Sequence, residues 1–240
     1  MIRFIAETGS TNADLLALGG DGREGDWLVA RRQSAGRGRA GRQWEDGAGN
    51  FMGSTAVSLR PDDPPAQTLA LVAGLAAWEA VRAVARDLPL MLKWPNDLLV
   101  DGAKLAGILL ERAGDVVIIG IGVNLARAPQ VLDRATTALI DHDVAHGVED
   151  FAELLADRFA AHLAAWRSGD WPRQRDLWLA RAHREGSTIE VRERDGSRIA
   201  GTFAGLGADG AALLRLADGS SRPIHAGDVE LVGDGNAARG

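Results

Sequence analysis

The 240-residue chain is 46 % hydrophobic, carries a formal net charge of −6 and has no cysteine. Such a composition can bury a core, and it excludes disulfides, zinc–thiolate sites and thiol nucleophiles, which favours the cytoplasm. The acidic balance speaks against general nucleic-acid binding, which needs a basic surface. No apolar run approaches a bilayer span, and the opening MIRFIAETGST shows no signal segment, so the expectation is a soluble intracellular protein with neither nucleic acid nor membrane as partner.

Residues 2–6 predict a strand. Ser10-Thr11-Asn12, ahead of Leu15, Leu16, Leu18 and the Gly19-Gly20 stop, predict a capped helix. Ser10 and Thr11 read first as caps, and secondly, with Asn12, as a group that grips a polar ligand head. Trp27–Ala30 predict a strand entering Arg31–Arg42, where five arginines and three glycines share twelve residues. Glycine lets backbone N–H groups approach an anion and arginine offers a two-pronged contact, so the segment reads as an anion clamp beside Gln33. Gly36, Gly38 and Gly41 also fit G-x-G-x-x-G, but residues 42–50 lack the helical period that a dinucleotide site requires. A basic nucleic-acid loop with Trp44 as a stacking platform is disfavoured by the overall acidity.

Residues 51–59 predict a strand, 60–65 a break, and 66–86 a long buried helix with apolar positions from Leu69 to Val84. Leu90–Leu92 predict a strand ending at Lys93-Trp94-Pro95-Asn96-Asp97, where proline forces a turn. Of the 27 basic residues only Lys93 and Lys104 are lysines. A compact ammonium suits a single oxygen or phosphate, whereas arginine is a planar fork, so the two retained lysines point to chemistry. Residues 98–100 and 104–111 predict a hairpin across Asp101-Gly102. Residues 116–123 predict a buried strand whose Gly120 and Gly122 mark a close approach, with Asn124 at its end. Several ends of one sheet are thus expected to deliver polar groups to one place. Residues 151–166, capped by Asp150 and stopped by Gly169, and 171–182 predict two helices. His142 and His146 read as a surface pair on a helix rather than zinc ligands. From Ser187 onward, short strands between Asp-Gly turns predict a small β-barrel.

Taken in order, Ser10-Thr11-Asn12, GRGRAGRQW at 36–44, KWPNDL at 93–98, KLAGIL at 104–109 and GIGVN at 120–124 resemble the biotin protein ligases. The resemblance implies an α+β fold: a mixed β-sheet with packed helices over residues 1–184, an SH3-like β-barrel over 185–233, and a disordered tail over 234–240. It implies that biotin and Mg-ATP give biotinoyl-AMP, whose acyl group passes to a lysine of a biotin carboxyl carrier protein. By that resemblance Lys93, Arg37 and Arg39 are catalytic. Biotin is held by Ser10, Thr11, Asn12, Gln33, Gly36, Gly38, Gly120 and Gly122 together with those three cations. ATP is held by Arg37, Arg39, Lys93, Trp44, Asn96, Lys104 and Asn124, with Asp97 on the Mg2+ side. A catalytic domain at the start of the chain implies the form without a DNA-binding domain, and a homodimer is compatible with it. The rival readings are a lipoate or octanoate ligase or transferase of the same fold, and a non-catalytic biotin-binding module.

Overall fold

The structure, a computed structural model, describes residues 1–19, 23–45, 47–131, 134–193 and 196–231. The expected tail over 234–240 lies outside the described residues. The first part of the chain runs β1 (Ile2–Thr8), α1 (Thr11–Ala17), β2 (Trp27–Gln33), β3 (Phe51–Ser58), α2 (Leu69–Val84), β4 (Leu90–Lys93), β5 (Asp97–Val100), β6 (Ala103–Ala113), β7 (Val116–Val123), α3 (Val148–Arg167) and α4 (Trp171–Leu179). Its strands form one mixed seven-stranded sheet in the order β1-β2-β3-β7-β6-β5-β4, parallel only between β1 and β2. The β5–β6 hairpin closes on Asp101 and Gly102, both at positive φ (47° and 79°), as a tight primed turn requires.

Alternation along the central strands divides the sheet into two unlike faces. Phe51, Val57, Ile119, Ile121, Val123 and Ile108 belong to the buried core shared with α2 and α3. Helix α2 is buried nearly all round, and its alanines and Gly74 admit close neighbours; the ring nitrogen side of Trp178 and the tip of Leu92 both stand against Gly74. On the opposite face Ser54 pairs with Gly120 and Met52 with Gly122, while Gly107 flanks Gly122 on β6. The short helix α1 packs there, and the glycines leave a shallow trough beside it.

Strands β8 (Thr188–Arg192), β9 (Arg198–Leu206), β10 (Ala212–Arg215), β11 (Ser221–Ile224) and β12 (Asp228–Leu231) form a second, wholly antiparallel sheet in the order β11-β10-β9-β8-β12, a small barrel-like unit as predicted. Two indoles fasten it: Trp94 Nε1 donates to Gly210 O at 3.0 Å and Trp171 Nε1 to Ala208 O at 2.6 Å. Between the two units, Leu92 N donates to Arg181 O at 2.8 Å, so residues 181–183 cover the outer edge of β4.

Some local expectations are corrected. Helix α3 starts after Gly147 rather than after Asp150, whose carboxylate lies within the first turn. Residues 66–68 form a 3-10 turn that leads into α2. His142 closes another 3-10 turn, Leu139–His142, and bonds Thr137 Oγ1 at 2.9 Å; the left-handed Asp143 (φ 60°) ends that turn, so His142 and His146 share no helix. Among the described residues no helix is long and apolar enough to cross a membrane.

Candidate active site

The trough exists because three positions lack a side chain. A Cβ on Gly120 would lie 2.3 Å from Asn12 Oδ1, one on Gly122 2.4 Å from the Trp44 ring, and one on Gly107 3.1 Å from the same ring and 3.0 Å from Lys104 Nζ. The Asn12 amide and the Trp44 indole therefore lie directly on the sheet. The groups come largely from strand ends: Thr11 and Asn12 follow β1, Gln33 ends β2 and leads into the Gly/Arg loop, Lys93 ends β4 and Asp97 opens β5, and they gather over an open face across the middle strands.

One half of the trough is a continuous polar chain. Thr11 donates its backbone N–H and its hydroxyl to Gln33 Oε1, at 2.7 and 3.0 Å. Thr11 Oγ1 stands 2.6 Å from Ser54 Oγ, and Ser54 Oγ donates to Asn12 Oδ1 at 2.6 Å. Asn12 Nδ2 donates to Glu111 Oε2 at 2.9 Å, and Arg37 reaches Glu111 Oε1 at 3.3 Å. Thr11, Asn12, Gln33 and Ser54 are all buried, so these bonds replace water and hold each group in a defined direction. Ser10 is the N-cap of α1, its hydroxyl accepting from Ala13 N at 3.5 Å, which agrees with the cap reading. Sequence reasoning missed Ser54 and Glu111.

The other half is cationic. Lys93 ends β4, paired in register with Asp97 across the turn. Asn96 holds that turn to β6, donating its amide to Ile108 O at 2.6 Å. Arg39 donates to Asn96 Oδ1 at 3.2 Å and to Gly227 O at 3.3 Å, so the Gly/Arg loop touches both the 93–97 turn and the second sheet. Lys104 Nζ makes a 2.5 Å ion pair with Asp97 Oδ1 and stands 5.7 Å from the Trp44 ring centroid, a cation–π contact. Burial pushes the Lys104 ammonium below its ordinary range and the Asp97 charge opposes that shift. Asp97 Oδ2 lies 3.9 Å from Arg134. With cations facing both of its oxygens, Asp97 does not stand ready as a metal ligand, the role expected for it.

Nearby, the ring of His183 lies tilted against Phe203 of the second sheet, with centroids 4.3 Å apart. It is 4 % exposed, and burial, then the Lys93 charge, push it down to about 4, against a weak contact with the Leu92 backbone.

Asn124 is 2 % exposed and gives its amide hydrogens to Lys104 O and Thr137 O, at 3.4 and 3.0 Å. Asn50 Oδ1 accepts from the backbone of Ala126 and Arg127, each at 3.0 Å. These two asparagines shape the loop after β7. Beside it lie two adjoining clefts of about 260 and 490 Å³, the first lined by Glu45, Gly47, Asn50 and Arg127 and the second by Pro129, Arg134 and Thr136. The structure thus brings Thr11, Asn12, Gln33, Arg37 and Gly120 together on one side, and Arg39, Trp44, Asn96, Asp97, Lys104 and Gly122 on the other, with Gly36 and Gly38 at the base of the intervening loop and Lys93 at its rim. It turns Ser10 and Asn124 toward the protein.

Residues 10–124 match the biotin/lipoate A/B protein ligase family, and residues 186–232 match the biotin protein ligase C terminal domain. The biotin--[acetyl-CoA-carboxylase] ligase of Paracoccus denitrificans is 40 % identical over 88 % of this chain and 93 % of its own length. Its namesake in Mycobacterium tuberculosis is 37 % identical over 94 % of this chain and 86 % of its own. A biotin protein ligase from Aquifex aeolicus, solved in complex with biotin and ATP, has the same fold: it superposes with a TM-score of 0.86 at 24 % identity, covering 96 % of this chain and 99 % of its own. With both parts of the fold, the open glycine face and these likenesses over nearly the whole length in agreement, the chain belongs to the biotin protein ligase family.

Proposed function

We infer that the protein is an ATP-dependent ligase that activates biotin as biotinoyl-5′-AMP and transfers the biotinoyl group to a lysine of a biotin carboxyl carrier protein. The observation that carries this is the 40 % identity to a biotin--[acetyl-CoA-carboxylase] ligase over almost all of both chains. It favours biotin over the lipoate or octanoate of the rival reading. In the first step a biotin carboxylate oxygen attacks the α-phosphorus of ATP and pyrophosphate leaves. In the second the acceptor amine attacks the acyl carbon, loses a proton and releases AMP.

The residue roles rest on placement. We assign the ligand head group to Thr11, Asn12, Gln33 and the floor at Gly120, supported by their joint polar chain. Lys93 and the loop arginines Arg37 and Arg39 supply fixed positive charge where two anions must meet, which is the commonest large term in such catalysis. Gly36 and Gly38 let the loop backbone come close. Trp44, with Gly122, Asn96 and Lys104 around it, forms the platform for the nucleotide, and the clefts beside the loop after β7 extend that side. Asn124 serves that side through the loop it braces, and Ser10 serves the head group through the helix it caps. Magnesium accompanies the triphosphate in this reading; the donor set at Asp97 does not fit it, and it enters only as the counterion of the nucleotide. The catalytic unit spans 1–184 and the β-unit 185–233, the protein works in the cytoplasm, and its macromolecular partner is the carrier domain rather than nucleic acid.

Incubation with Mg-ATP and, separately, biotin, lipoate or octanoate, followed by detection of acyl-AMP and pyrophosphate, tests the assignment. Biotinoyl-AMP alone is expected. An adenylate of lipoate or octanoate instead overturns the substrate, and no adenylate with any acid returns the protein to a binding module.

A further inference from the structure

The polar chain across the trough is short of a proton. Thr11 and Ser54 have two hydroxyl hydrogens between them, yet three contacts call on them: Thr11 to Gln33 Oε1 at 3.0 Å, Thr11 to Ser54 at 2.6 Å, and Ser54 to Asn12 Oδ1 at 2.6 Å. The two outer contacts end on amide oxygens, which only accept. Gln33 cannot relieve the shortage by turning its amide, because the same oxygen receives the Thr11 backbone N–H at 2.7 Å. Asn12 could relieve it by turning its own amide so that Nδ2 pointed at Ser54. What prevents this is Glu111: a carboxylate oxygen 2.9 Å from Asn12 accepts only a donor, and would repel Oδ1. The carboxylate is itself held by Arg37 of the Gly/Arg loop.

We propose that Glu111 is a positioning and specificity-determining residue: by pinning the Asn12 amide with its oxygen inward, it keeps the head-group site deficient in donors, so that a ligand bringing N–H groups completes it. The assignment rests on the biotin-ligase reading. A ureido head offers two N–H donors and one carbonyl, whereas the dithiolane of lipoate offers none, so Glu111 discriminates between the two acids of this fold without touching either. A site built for a hydrogen bond penalises a ligand that cannot make it.

Glu111→Gln tests this, because a carboxamide of the same shape can donate as well as accept and so frees Asn12 to turn. Biotin KM is expected to rise by about tenfold, the worth of one charge-assisted hydrogen bond, and by more than the ATP KM does. The preference for biotin over lipoate, taken from acyl-AMP yields, falls in parallel. Adding Asn12→Asp restores an oxygen facing Ser54, and its second oxygen accepts from the introduced carboxamide, so the double variant N12D/E111Q recovers most of the biotin KM; a merely structural role predicts no such rescue. Should Glu111→Gln lose its fold, Glu111→Asp, with its carboxylate drawn back by one methylene out of reach of Asn12, tests the contact by the rise in biotin KM and the fall in preference over lipoate, without the rescue. A biotin KM within twofold in a folded variant, while the unsubstituted protein makes biotinoyl-AMP, overturns the assignment alone. Absence of biotinoyl-AMP from the unsubstituted protein overturns the ligase reading and this assignment with it.

Discussion

Single positions in the trough act through space as much as through charge. Gly120→Ala places a methyl against the Asn12 amide, where the neighbour is a hydrogen-bonded group in a buried network rather than a loose side-chain tip. The expected cost is about 1–3 kcal/mol, typical of overpacking, visible as a lower urea midpoint together with weakened biotin binding. Lys93→Ala has the opposite profile: its position at a strand end predicts a near-native melting curve and adenylation slowed by roughly two orders of magnitude, the loss of a preorganised charge. Pyrophosphate release measures it, and a loss below about tenfold would mean that Lys93 is not the main transition-state contact. Both residues were legible in the sequence, one as a glycine inside an apolar strand and the other as one of two lysines in an arginine-rich chain. Glu111 was not. In LLER it alternates like any solvent-facing strand residue, and its partner Asn12 is 99 positions away. The bonds of Asn124 were equally hidden: the loop that follows it folds back and takes its amide hydrogens on backbone carbonyls.

Among elements, the β5–β6 hairpin carries the most concentrated electrostatics. Its Asp97–Lys104 pair is about 15 % exposed on each side. Burial disfavours the Lys104 charge and Asp97 sustains it, so Asp97→Asn leaves an ammonium without its counter-charge under an indole. Breaking one side of such a pair costs about 3 kcal/mol, to be read from denaturant midpoints, and Asp97→Asn/Lys104→Met should regain most of it. The hairpin itself was plain from Asp101-Gly102 between apolar runs, and the five late strands from their Asp-Gly turns, because turn chemistry is local. The register that sets Ser54 beside Gly120 and Gly107 beside Gly122 is not local, and appeared only with the folded sheet. The Gly/Arg loop was read correctly as irregular for want of a helical period; its grip on Gly227, 188 positions distant, was not readable.

At the scale of the whole molecule the two sheets are joined through groups that also border the trough. Trp94, inside the 93–97 turn, donates to Gly210, and His183 sits between Lys93 and Phe203. Because His183 is pushed down to about 4 in the folded chain and lies near 6.5 when unfolded, the folded state binds fewer protons between those values. Its contribution to stability is therefore complete above pH 6.5 and is lost as the pH falls toward 4, by roughly 3 kcal/mol. Urea unfolding across that range should show the slope, and His183→Phe should flatten it. Trp94→Phe removes one indole bond worth about 1 kcal/mol, and faster amide exchange in β9 and β10 than in β3 and β7 is the signature expected if that bond anchors the β-unit.

The scarcity of lysine has a further consequence. An acyl adenylate that escapes its maker reacts with whatever amine it meets first, and the surface nearest the exit is the maker's own. Here the side chains that could be marked by accident are two: one is sequestered under an indole in an ion pair, and the other stands half-buried at a strand end. Guanidinium groups, which keep their protons at neutral pH, cover the rest. A chain so composed is a poor substrate for its own reagent, and prolonged turnover without carrier should leave its intact mass almost unchanged.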